Sequence, residues 1–294
     1  MSIQKLKTYF SNADIVLKLI YINVEVFLLF WLVDSLCVLF NMGSIKPYVD
    51  EHLAISEEPV VLLTNPWSLI TYQFLHAGLF HIFWNMYILY IFGRIALDLL
   101  KPSTLLCLYL CSGISGAAFF VLAYNVFPLF SGESGQMVGA SAAVMGIVAA
   151  TATYFPNIEM PLLLFGRVKL KWIALGILVL SSLNITGANA GGSFSHWGGA
   201  FFGFWAAQQL KKGLNPLQKI VGFFSRVKAL FYKPKKSNVM VHYRAKSRKS
   251  RSAKKTGTVG SQEKLDAILD KISKSGYDSL TQSEKDFLFS IKED

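Results

Sequence analysis

Residues 76–100 read HAGLFHIFWNMYILYIFGRIALDLL, and within them 78–97 form an apolar run long enough to cross a bilayer as one helix. A span needs about 20 mostly apolar residues, because in lipid only a helix or a closed barrel satisfies its own backbone hydrogen bonds. Outward from this run, five further stretches qualify: 19–42, 103–127, 138–155, 169–187 and 193–210. The short alternating strand patterns of a membrane barrel are missing. Composition agrees. The 294 residues are 53% hydrophobic and 16% charged, where a soluble domain carries about 25% charge, and the mean hydropathy is +0.42. This composition runs against a soluble enzyme and excludes a disordered or collagen-like chain. The expected fold class is all-α, a polytopic membrane protein with six transmembrane helices.

The net charge of +11 suggests nucleic acid until the chain is divided. Residues 1–210 hold 9 Lys/Arg against 10 Asp/Glu, whereas residues 211–255 hold 15 Lys/Arg and no acid. The expected organisation is an N-terminus (1–18), a six-helix membrane domain (19–210), a basic linker (211–260) and a small cytoplasmic two-helix hairpin (261–294). Lys5, Lys7, Lys18, Arg94, Lys101, Arg167, Lys169 and Lys171 fall between alternate spans. The 43–75 loop instead sets Lys46 against Asp50, Glu51, Glu57 and Glu58. Positive charge marks the cytoplasmic side, so both termini are expected there, with the 43–75 loop outside. No removable signal peptide is read at the N-terminus. Cys37, Cys107 and Cys111 sit in apolar runs and read as small hydrophobes.

The tail divides again. In PLQKIVGFFSRVKALFYKPKK (216–236), Leu217, Ile220, Val221, Phe224, Val227 and Phe231 recur at helical spacing among basic residues. That pattern lies along an anionic headgroup layer, so anionic lipids are the expected partner and no nucleic acid is. Residues 237–261 read as polar, basic and disordered. Beyond them, Leu265, Ile268, Leu269 and Ile272 share one face, Gly276 breaks the helix, and Thr281 with Glu284 forms a capping box for a second.

Three constellations carry candidate chemistry. In HAGLFHIFWNM (76–86), His81 and Asn85 lie four apart and share a helix face; interhelical hydrogen bonding alone explains such a pair. In VGASAAVMG (138–146), Ser141 begins a span, where free N–H groups and the positive end of the helix dipole favour a developing anion. Gly139 permits close approach of a neighbour. In SHWGGAFFGF (195–204), Gly199 and Gly203 form a small face that fits against Gly146. That docking brings His196 alongside Ser141, where a neutral imidazole can take the hydroxyl proton. No acid lies in either motif, so a dyad fits better than a triad. Glu25 and Asp34 lie within the first span; Glu25 reads as structural and Asp34 as a candidate for a wet interior.

In type and in order, these motifs over residues 60–210 resemble the rhomboid family of intramembrane serine proteases. The family pattern is His-x₄-His-x₃-Asn on the second helix, Gly-x-Ser on the fourth and His-x₂-Gly on the sixth. Here these are His76, His81 and Asn85, then Gly139 and Ser141, then His196 and Gly199. The resemblance implies a serine endopeptidase that cuts transmembrane segments with Ser141 as nucleophile and His196 as base. His81, Asn85 and the Ser141 N–H would bind the oxyanion. Trp67 looks like the tryptophan of the family's first outer loop, and His76 would supply a structural hydrogen bond. Ser68, Ala142 and Met145 depart from residues common in the family without removing a reacting group. No cofactor and no metal are implied. The implied partners are single-span membrane proteins, with small residues that unwind readily, and the bilayer itself.

The two-helix tail is similar to an appendage of some bacterial members, which implies a bacterial inner (plasma) membrane. Two rivals remain. One is an inactive relative that binds membrane clients without cutting them; the other is a transporter using His76, His81 and His196, which no carboxylate cluster or inverted repeat supports.

Overall fold

A computed structural model describes residue 8 and residues 10–183, 185–186, 189–231 and 259–290. Residues 232–258 of the basic linker, and with them most of the stretch read as disordered, lie outside these; its last three residues, 259–261, are described and begin the helix Val259–Ser275. The chain divides into two compact units, Met1–Pro234 and Lys235–Asp294.

The first unit is helical. In order come α1 (Ile15–Leu39), α2 (Lys46–Leu53), α3 (Pro59–Thr64) and a one-turn helix, Ser68–Thr71, that runs into a 3₁₀ turn, Tyr72–Phe74. Then follow α4 (Leu79–Ala96), α5 (Pro102–Val126), α6 (Ser141–Tyr154), α7 (Leu170–Ser182), α8 (Ala190–Lys211) and α9 (Pro216–Phe231). Two antiparallel ribbons connect them. β1 (Ile55–Ser56) pairs with β2 (Gln136–Met137), and β3 (Glu159–Leu162) pairs with β4 (Gly166–Lys169).

Helices α1, α4 and α5 are long and apolar enough to cross a membrane, and α6 and α7 are shorter apolar helices. α8 has the length, at 22 residues, but dilutes its hydropathy with glycine, serine and glutamine. Burial is inverted relative to a soluble bundle. α1 is apolar all round, yet Val16, Leu19 and Asn23 are its buried residues, while Leu28, Leu29, Trp31 and Leu32 are exposed. A helix that shows such a surface is solvated by lipid. α6 is the opposite: Ala142–Val148 and Ala150–Ala152 are buried, so it is the axis around which α4, α5 and α8 pack.

The two ends of the bundle are built differently. At one, Asp14 caps α1 by accepting from the Leu17 N–H (3.0 Å) and forms an ion pair with Arg94 at the end of α4. At the other, the loop expected at 43–75 is ordered. It contributes α2, α3 and β1, and Thr71 Oγ1 donates to the Leu53 carbonyl (2.8 Å). Asp34 belongs to this end. Its Oδ1 accepts from Ser44 Oγ (2.7 Å) and from the Ile45 N–H (2.8 Å), so it fastens the loop to α1 instead of facing a wet interior.

In the second unit, α10 (Val259–Ser275) and α11 (Gln282–Ser290) flank a 3₁₀ turn, Tyr277–Ser279. Gly276 adopts φ +77°, a conformation that suits glycine and ends α10. Glu284 accepts from the Thr281 N–H (2.8 Å) and Thr281 hydroxyl (2.9 Å) and pairs with Lys271 on α10 (2.9 Å).

Candidate active site

The segment before α6 sets the geometry. The Gly139 N–H donates to the Tyr72 carbonyl (2.9 Å), and Gly139 takes φ +136°, which side chains other than glycine's rarely adopt. A methyl at Gly139 would also stand closer than 3.0 Å to the His81 ring. Two residues on, Ser141 is the first residue of α6. Its N–H is among those that a helix leaves free at its start, at the positive end of the dipole. The fourteen residues of α6 rise about 21 Å against a hydrocarbon core of about 30 Å. A helix that short cannot reach both interfaces, so at least one of its ends lies below an interface.

His196 reaches the same place because α8 and α6 touch backbone to backbone. A Cβ on Gly199 would lie within 3.0 Å of the Ala142 carbonyl oxygen, and one on Gly203 within 3.0 Å of the Gly146 carbonyl oxygen. His196 precedes Gly199 by about one turn. The result is a cavity of about 630 Å³ lined by Ser141, His196, His81 and Asn85. Ser141 Oγ and His196 are not hydrogen-bonded among the described residues; such bonds are often long before substrate binds. His196 Nδ1 is buried without a partner, carboxylate or other, among the described residues.

His81 has its tautomer assigned by its surroundings. The Ala77 N–H donates to His81 Nδ1 (3.3 Å), so Nδ1 is an acceptor and the neutral ring carries its proton on Nε2, the nitrogen toward Gly139. A donor is therefore aimed at the start of α6. Asn85 is 6% exposed, and its Nδ2 donates to the His81 carbonyl (2.8 Å) one turn earlier.

The supporting residues separate. Gly139 and Gly199 shape the cavity through the close approaches just described. Trp67 lies outside it: its Nε1 donates to the His52 carbonyl (2.8 Å), pinning the turn at Ser68–Thr71 to the end of α2. His76 lies beside His81. Its ring packs edge-on against His81 at 5.2 Å, and neither ring nitrogen meets hydrogen-bond geometry with a described residue. Tyr124, Asn189 and Met137 also line the cavity and were missed by the motif reading. They arrive through the β1–β2 ribbon and the ends of α5 and α8, for which a lone polar residue in a loop gives no sequence signal. No group of three or more His, Cys, Asp or Glu able to hold a metal occurs among the described residues.

Comparison with known proteins agrees with this architecture. The model of the Rhomboid domain matches residues 64–212, about half of the chain and every helix that lines the cavity. The chain belongs to the rhomboid family. The family includes serine proteases and has an intramembrane-protease fold, which places this rhomboid in a bilayer. Presenilin-associated rhomboid-like protein A, mitochondrial, of Danio rerio is 30% identical over 146 residues, 48% of this chain and 37% of its own. Rhomboid protein 1, mitochondrial, of Saccharomyces cerevisiae is 29% identical over 202 residues, 67% and 54% of the two chains. RHOMBOID-like protein 12, mitochondrial, of Arabidopsis thaliana is 27% identical over 216 residues, 69% and 60%. The alignments thus span about two fifths to three fifths of these relatives' lengths. Residues 258–290 match a family of unknown function, DUF6576.

The relatives overturn the expected bacterial plasma membrane, because all of those reported carry mitochondrial names. The physical reason is plain. The Lys/Arg pattern orients a chain across a membrane but does not say which membrane, and a two-helix tail carries no address.

Proposed function

We propose that this rhomboid is an intramembrane serine endopeptidase that cleaves transmembrane segments of single-span proteins with a Ser141–His196 dyad. The observation that carries the reading is the convergence of Ser141, His196, His81 and Asn85 on one cavity at the start of the short helix α6. In this reading α1 and α4 to α8 make six crossings, and the membrane domain ends near residue 210.

In the first step His196 Nε2 takes the proton of Ser141 Oγ as the oxygen attacks the scissile carbonyl carbon. The oxyanion that forms is met by the Ser141 N–H, by His81 Nε2–H and by Asn85 once its amide turns into the cavity. The imidazolium then gives its proton to the departing amine, leaving an ester on Ser141. Water, deprotonated by His196, attacks that ester and restores the serine. Exposed Phe80 and Trp84 border the cavity on the α4 side and give an apolar substrate helix a surface to approach. The helix must unwind for its carbonyl to reach Ser141, which favours glycine, alanine or serine at the cleavage site. The basic helix α9 rests against anionic headgroups.

A serine-directed fluorophosphonate probe tests the nucleophile. It should modify the wild-type chain at Ser141, modify Ser141→Ala not at all, and react with His196→Ala far more slowly. Equal labelling of Ser141→Ala contradicts the reading.

A further inference from the structure

A groove separate from the catalytic cavity runs between α7 and α8 along the flank of α6, with a volume of about 740 Å³. Its shape follows from how α7 is tied down. At one end Ser193 Oγ donates to the Ser181 carbonyl (2.8 Å) and Trp197 Nε1 to Ser182 Oγ (2.6 Å). At the other, the Leu170 N–H donates to the Ile158 carbonyl (2.8 Å), and Leu170 is the buried residue of α7. Between these ties the floor is cut back to alanine at 149, 152 and 200, while Trp172, Leu175 and Phe204 stand as half-exposed walls.

The groove is apolar along its length and basic at one end. Lys171 and Lys211 line that end, both are exposed, and neither forms an ion pair with a described residue. No Asp or Glu lines the groove. Lys171 Nζ lies 5.2 Å over the ring of Trp172, a residue type that settles at the headgroup layer. From Trp197 to Lys211, α8 rises about 21 Å, more than half the thickness of a hydrocarbon core of about 30 Å. An apolar channel deeper than one leaflet, ending in two cations that no described carboxylate neutralises, matches one lipid class.

We propose that this groove holds one anionic phospholipid of the bilayer, its phosphate between Lys171 and Lys211 and an acyl chain along the alanine floor. A groove without the lysines would accept any lipid; two cations at headgroup depth select an anion. The occupant would brace α7 against α6, where the protein supplies small side chains.

Native mass spectrometry of the full chain, titrated in detergent with phosphatidylglycerol or with phosphatidylcholine of the same acyl chains, tests this. The wild type should retain one phosphatidylglycerol with at least a tenfold preference over phosphatidylcholine. K171Q/K211Q should bind phosphatidylglycerol about tenfold more weakly, with phosphatidylcholine unchanged, and K171R/K211R should restore the preference. Ala149→Leu, which raises the floor without changing charge, should weaken both lipids, and keeps the test open if the double variant fails to fold. Glycerol phosphate alone should not displace the lipid. Equal retention of the two lipids, undiminished phosphatidylglycerol binding by both K171Q/K211Q and Ala149→Leu, or a second copy of the chain in place of lipid would overturn the proposal.

Discussion

Gly199 and Gly203 hold the site together although neither reacts. Each lies so close to an α6 carbonyl that a methyl must displace backbone, not a flexible side-chain end. Overpacking of this kind costs about 1–3 kcal/mol. Gly199→Ala and Gly203→Ala should therefore lower the unfolding temperature in detergent, and activity should fall because His196 rides on the displaced helix. An unchanged melting temperature would show that α8 relaxes freely. His81 tests the oxyanion reading separately. His81→Ala removes one donor, so kcat should drop about 10²–10³-fold with little change in KM. A loss confined to KM would make His81 a substrate-binding residue. The residues proposed to react were singled out in the sequence by the resemblance of their motifs to the rhomboid family; helical spacing alone left His81 and Asn85 as an interhelical hydrogen-bonding pair. The tautomer of His81 was not, since it depends on the N–H of Ala77 in the loop before α4. Nor was the inward turn of Asn85 onto its own helix.

Among the elements, the apolar helices were legible, short α6 and α7 included, and the small elements of the 43–75 loop were not. The run read at 78–97 is α4 at Leu79–Ala96, and the run at 103–127 is α5 at Pro102–Val126. Twenty apolar residues leave little choice in lipid. The 43–75 segment is polar and broken by proline, which gave no hint of two helices and a two-residue strand. Yet the pairing of β1 with β2, Ile55 opposite Met137, positions the chain that leads into Ser141. Such ribbons are too short to carry a periodicity. The hairpin's capping signal, in contrast, is local and was readable. Lys271 and the Thr281 amide and hydroxyl hold the Glu284 carboxyl well below its ordinary 4.5, at about 2. A carboxylate lowered in the folded state adds stability that is complete above its ordinary value and fades as pH falls toward 2. The Glu284 side-chain carbon should thus titrate near pH 2 by NMR, and the hairpin should loosen between pH 4.5 and 2. Titration at the ordinary value would mean that the Lys271 and Thr281 contacts do not persist in solution.

For the molecule as a whole, charge and hydropathy are divided by task. Residues 1–210 are close to neutral, while the basic excess is gathered after residue 210. A peptide of residues 213–236 should bind vesicles containing phosphatidylglycerol and release as salt is raised. Salt-independent binding would assign it to hydrophobic insertion alone. The fold and membrane setting followed from the sequence; the compartment did not, because a bilayer's physical demands are alike in different membranes. The central claim concerns catalysis by this whole architecture, and one measurement reaches it. The purified chain in liposomes, given a single-span substrate with glycine or alanine near one interface, should cut it within the span. Ser141→Ala and His196→Ala, folded to the wild-type melting temperature, should each leave the substrate intact. Cleavage at the wild-type rate by Ser141→Ala would contradict the account.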